Sequence, residues 1–119
     1  MEIRVVRTDD NLTSQQLKER LETLPGWDQN IMLEVLQERS THLRQVDQTV
    51  LVATVSAVAA TLGVLISGLL QIAQANYKER VVLVSKKGLR VELETRHALK
   101  KLPELIDLLK VMDTERIEL

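Results

Sequence analysis

Residues 48–77 contain no Asp, Glu, Lys, Arg or His, and that property limits what the chain can become. The run reads QTVLVATVSAVAATLGVLISGLLQIAQANY, closed by Asp47 on one side and Lys78 on the other. A charge-free stretch of this length is either a transmembrane helix or a helix covered on nearly every side by protein. Its β-branched residues, among them Val50, Val52, Thr54, Val55, Val58, Thr61, Val64 and Ile66, lower helix propensity. Length and the many alanines still favour a helix, because strands seldom pass about ten residues. The expectation is therefore one long apolar central helix over 48–77. Small residues recur at every fourth position, at Ala59, Gly63 and Ser67 and earlier at Ala53 and Ala57. That spacing lays a smooth strip along one face, where a second helix can approach closely. The plainer alternative is that Ala and Gly are simply common in buried helices.

Composition removes several function classes. The chain has 119 residues, enough for one domain with a modest core. A net charge of -1 gives no whole-molecule field for capturing nucleic acid. Trp27 and Tyr77 are the only aromatic residues, so aromatic platforms for stacking bases are absent too. Without Cys there is no disulfide, thiolate nucleophile or zinc–thiolate site. This composition fits a cytoplasmic location, as does an opening stretch, MEIRVVRTDD, without the apolar core of a signal peptide.

Either side of the apolar run the pattern is α+β. Residues 2–7 alternate as a strand, and Asp9, Asp10 and Asn11 break it. Thr13 and Gln16 form a capping-box pair that starts a helix over 14–24, with Leu12 and Leu17 at the staple positions. Leu17, Leu21 and Leu24 make its apolar stripe, and Pro25 and Gly26 stop it. Residues 30–36 read as a strand, although Ile31, Val35 and Leu36 also fit a helical face, and 37–47 as a polar connector or the exposed first turns of the next helix. Residues 80–85 and 89–94 read as a hairpin turned by Lys86, Lys87 and Gly88, with VVLV as an interior strand. Residues 95–101 lead into a last helix with Pro103 in its first turn, and 113–119 read as a frayed tail. The fold expected is a small sheet of three to four strands with flanking helices and the long apolar helix at its centre.

No residue pattern supplies a reaction. His42 and His97 stand in no metal-ligand spacing. Ser56 and Ser67 lie within the apolar run and are expected to bond to their own helix carbonyls. Gly26, Gly63, Gly68 and Gly88 match no nucleotide loop. The expectation is a protein that is not an enzyme and holds no cofactor or metal. Lys78, Arg80, Lys86, Lys87 and Arg90 form a basic cluster after the run. It is either a solvated hairpin or a contact for anionic lipid or an acidic partner.

Two destinations for the apolar helix remain. The twelve Leu, Ile and Val residues between Val50 and Ile72 would favour membrane insertion by roughly 5 kcal/mol gross. On that alternative residues 50–72 span the inner membrane, and the basic bias puts the C-terminal part in the cytoplasm. Against it, a span would divide the strands between two compartments and leave each half too small for its own core. In water, a helix of about 45 Å outruns a strand of about 20 Å. Its leftover face then needs another copy, another protein or lipid, and homo-oligomerisation through Ala53, Ala57, Ala59, Gly63 and Ser67 is the favoured reading.

The opening strand MEIRVVR, the apolar helix with Ala59, Gly63 and Ser67, and the block ERVVLVSKKGLRVELETRHALKKLPELIDLL carry a resemblance. Together they resemble the effector-associated constant component family of bacterial conflict systems. The likeness spans most of the chain but rests on pattern, not on a catalytic motif. It departs from the family at 37–48, which has neither the Pro nor the Gly usual there. The resemblance implies a small non-enzymatic adaptor or scaffold, encoded beside effectors such as caspase-like or trypsin-like peptidases, that couples threat sensing to effector activation.

Overall fold

The charge-free run does not form one helix. The computed structural model describes residues 1–7, 12–37, 49–56 and 58–119. In it the run splits into a strand at Thr49–Thr54, a short connection and a helix at Ala59–Ala75. The β-branched residues crowd the first part, TVLVAT, and there they follow their strand preference. The remaining helix has 17 residues, about 25 Å at 1.5 Å per residue, so the mismatch between helix and sheet disappears. Among the described residues no helix is long and apolar enough to cross a membrane. Residues 50–72 fall partly in this strand and partly in this helix.

In chain order the elements are β1 (Glu2–Val6), α1 (Ser14–Glu22), β2 (Met32–Gln37), β3 (Thr49–Thr54), α2 (Ala59–Ala75), β4 (Arg80–Ser85), β5 (Arg90–Glu94), α3 (Thr95–Lys100), α4 (Leu102–Met112) and β6 (Thr114–Glu118). The fold is α+β, but among the described residues the sheet has six strands, in the order β2-β3-β1-β6-β4-β5, not three or four. It is mixed: β1 and β6 run parallel and every other pair is antiparallel.

The largest departure from expectation is at the C-terminal end. Residues read as a frayed tail form β6, a central strand bonded to β1 on one side and β4 on the other. Asp113 makes the entry by taking the left-handed conformation, φ 55°, which ends α4 and reverses the chain. Ile117 and Leu119 then reach the core, and the Leu119 N–H donates to the Val6 carbonyl at 2.9 Å. Five residues are too few to show clear alternation in sequence, but two apolar side chains spaced by one suffice to seat the strand.

All the strand residues in the core come from one face of the sheet. Ile3 and Val5, Leu51 and Ala53, Val81 and Leu83, and Ile117 meet Leu17 and Leu21 of α1, the inner face of α2, and Leu105 and Leu109 of α4. The described residues thus form two layers, with their four helices on one side of the sheet. α1 begins as its sequence specifies. The Gln16 N–H donates to Thr13 Oγ1 at 3.1 Å, and the Thr13 N–H donates to Gln16 Oε1 at 2.9 Å. α3 and α4 are separate helices rather than one, because Lys101 leaves the helical region before Pro103 opens the second. The Asp9–Asn11 breaker and residues 38–47 of the expected connector lie outside the described residues, and Gln37 closes β2.

Ile117 distinguishes a core strand from a tail. Ile117→Ala is expected to lower unfolding free energy by about 2–4 kcal/mol, measured by urea denaturation. A loss near zero would mean that β6 contributes nothing to the fold.

Candidate interaction surface

α2 is apolar around most of its circumference, so its neighbours are placed by what it must hide. Leu62, Leu65, Leu69 and Ile66 are buried. The two glycines mark where flanking helices come nearest. A side-chain carbon at Gly68 would stand 3.0 Å from both Leu21 Cδ2 and Leu24 Cδ1, so α1 and the turn after it press directly on the α2 backbone. One at Gly63 would meet Ile106 Cδ1 of α4 at 3.3 Å. Small residues here serve close packing inside the molecule.

Between these two contacts α2 remains open. A groove of about 340 Å³ runs along it, with Ala60, Gly63, Val64, Ser67 and Gln71 as floor, Leu24, Pro25 and Trp27 as one wall and Leu102 as the other. The turn at Pro25 and Gly26, with Gly26 at φ 79°, folds Trp27 back so that only 9% of it stays exposed. Ser67 Oγ accepts a hydrogen bond from Gln71 Nε2 at 2.9 Å. Ser56 is not helical: it lies after β3, where its hydroxyl accepts from the Val58 N–H at 3.3 Å.

The five small residues expected to form one strip do not lie together. Ala53 is fully buried in the sheet, in register with Ile3 and Leu33. Ala57 lies outside the described residues. Ala59 is exposed on the first turn of α2, and Gly63 and Ser67 are half-buried on the groove floor. The walls, Leu24, Pro25, Trp27 and Leu102, had no signal in the sequence beyond a tryptophan placed just after a Pro-Gly turn.

The basic cluster is spread out in the same way. Arg80 bonds Glu92 at 2.9 Å, and Lys86 faces Asp113 at 3.6 Å. Arg90 reaches across β4 to Glu118 with two hydrogen bonds, of 2.7 and 3.1 Å. Lys87 is exposed at the hairpin turn, where Gly88 adopts φ 86°. Lys78 lies past the end of α2, beside a polar cleft of about 480 Å³ that also includes Tyr77, Arg80, Thr95 and Arg96. Tyr77 is 93% exposed and holds φ 60°, in the position after a helix end that glycine usually takes. The Tyr77 N–H donates to Gln74 and the Lys78 N–H to Ala73, which closes the last turn of α2. His97 Nε2 stands 3.7 Å from Glu94 Oε2; His42 lies outside the described residues.

On the sheet face opposite the helices, Glu34, Val52, Arg4, Arg116, Val84 and Arg90 form one cross-strand row. Glu118 lies in the next row. The hydrogen bonds it accepts from Arg90 hold its carboxyl below the usual glutamate range, with charge attraction from Arg90 and Arg116 adding to them and burial opposing them. Comparison with protein-family models, with curated proteins and with solved structures finds no match.

Two outcomes follow from this geometry. Gly68→Val should destabilise the protein by about 1–3 kcal/mol through overpacking against Leu21 and Leu24. Gly63→Ala should stay near neutral, because one mobile methyl can yield and alanine favours the helix by up to about 1 kcal/mol. Thermal melts of both variants check the pair. For Glu118, a depressed folded-state pKa means that its stabilising contribution is present above the ordinary glutamate range and lost as pH falls through the folded-state value. Glu118→Gln should accordingly flatten the acid limb of stability against pH, and leave less difference between variant and parent at the acid end than at neutral pH.

Proposed function

We propose that this chain is a non-enzymatic adaptor or scaffold component of a bacterial defence signalling module, which self-assembles through the exposed strip of α2 and couples to an effector protein. The observation that carries this reading is the open groove along α2. Where α1 and α4 part, the backbone of an apolar helix is left reachable at Gly63 and Ser67, with Ala59 exposed one turn earlier. Small residues let a helix from a second copy approach there closely, with the exposed ridge of one helix seated in the groove of the other. The occupant that we propose is therefore the α2 face of a second copy. An effector such as a caspase-like or trypsin-like peptidase, clustered by such an assembly, follows from the family resemblance.

Light-scattering mass of the purified protein tests the assembly. The expected wild-type mass is a discrete multiple of 13.5 kDa. Ala59→Arg and Ser67→Arg, each checked for native circular dichroism, should lower that mass by removing the α2 contact. A wild-type protein of single-chain mass, or variants that keep the assembled mass, would overturn the α2 contact.

A further inference from the structure

β5 is an edge strand: among the described residues it pairs with β4 on one side and with nothing on the other. The Ser85 N–H donates to the Leu89 carbonyl at 2.9 Å, and the Thr95 N–H donates to the Glu79 carbonyl at 2.8 Å. These bonds set the alternation of the hairpin. Odd-numbered residues of β5 turn their backbone groups to β4, so Arg90, Glu92 and Glu94 present N–H and C=O to the free edge. A row of unpaired backbone groups of this kind is a template for another strand.

The sequence of that edge is complementary to itself. We infer that β5 is a self-pairing surface, to which a second copy adds its own β5 antiparallel about a two-fold axis at Glu92. In this register all three outward-facing residues meet outward-facing residues, as a hydrogen-bonded ladder requires. Arg90 lies opposite the partner's Glu94, and Val91 opposite the partner's Leu93. The charges alternate across the junction. Arg90 is half-exposed while it bonds Glu118, and Glu94 is 57% exposed, with His97 at 3.7 Å and Arg80 opposite it on β4. The two Glu92 carboxylates that meet on the axis each have Arg80 of their own chain at 2.9 Å. On the helix side, Leu93 floors a groove of about 190 Å³ with Ala98, Leu105 and Leu108. Leu89, four residues earlier on the hairpin, is 58% exposed. The added strand would extend that floor with the partner's Val91 and Leu93. A two-fold contact of this kind closes on itself, as cyclic dimers do. It shares no residue with the α2 groove and does not rest on that contact.

Amide hydrogen exchange on the full-length protein, read together with mass, tests the pairing. In the assembled wild type the amides of Arg90, Glu92 and Glu94 should exchange at least about tenfold more slowly than in dilute, single-chain protein. Glu92→Pro removes an outward donor that β4 does not use, which an edge strand tolerates. Glu94→Lys sets like charges against Arg90. Both variants, with native circular dichroism, should lose the protection at the remaining edge amides and lower the assembled mass. Ala59→Arg should leave the protection unchanged. Freely exchanging edge amides in assembled wild type, or both edge variants keeping full mass, would overturn the pairing. If in that case Ala59→Arg alone dissolves the assembly, the α2 contact stands without it. If the edge amides are protected and Ala59→Arg changes nothing, the pairing stands and the α2 contact fails.

Discussion

A helix without a charged residue has to be covered, and the architecture follows from how α2 is covered. Its inner face takes the sheet, and its flanks take Leu21 and Leu24 on one side and Ile106 on the other. The two glycines set how close those flanks come. Fully burying a leucine contributes about 1.5–3 kcal/mol, and α2 supplies four buried leucines to one core. α1 and the α3–α4 pair are thus in place largely as cladding. Where the cladding parts, the groove with Trp27 in its wall remains.

The sheet shows the same economy in one respect and departs from it in another. Its helix-facing side is apolar in every strand, whereas its far side mixes valines with arginines and glutamates. The ion pairs there are cross-strand: Arg90 spans β4 to reach Glu118, and Arg80 reaches diagonally to Glu92. Exposed pairs of this kind add little stability. Their effect is to fix which strands lie side by side and in what register, since a slip by one residue would set charges into the core.

The parts legible in the sequence were those governed by local chemistry. The capping box at Thr13 and Gln16, the stop at Pro25 and Gly26, and the hairpin around Gly88 are each specified within a few residues. What could not be read was decided by distant partners. A charge-free run gives the same composition whether it forms one helix or a strand followed by a helix; pairing with β1 and β2 selects the strand at Thr49–Thr54. Residues 114–118 look like a tail because their partners, β1 and β4, are encoded more than a hundred and about thirty residues earlier. The small-residue strip was legible as spacing, but which members stay reachable depends on α1 and α4, and Ala53 went to the sheet instead.

The central place of β6 has a consequence for the order in which the molecule can be completed. β2, β3 and β1 form one antiparallel group and β4 and β5 another, and the strand that joins them leaves the ribosome after all five of these. Until then the emerging chain holds two half-sheets with no ladder between them, each with an inner edge unpaired. Contacts between residues so far apart in sequence form slowly, and open edges expose a nascent chain to association with its neighbours. β6 therefore acts as a latch, and in a cell the interval before it closes is when this sheet is most exposed to misassembly.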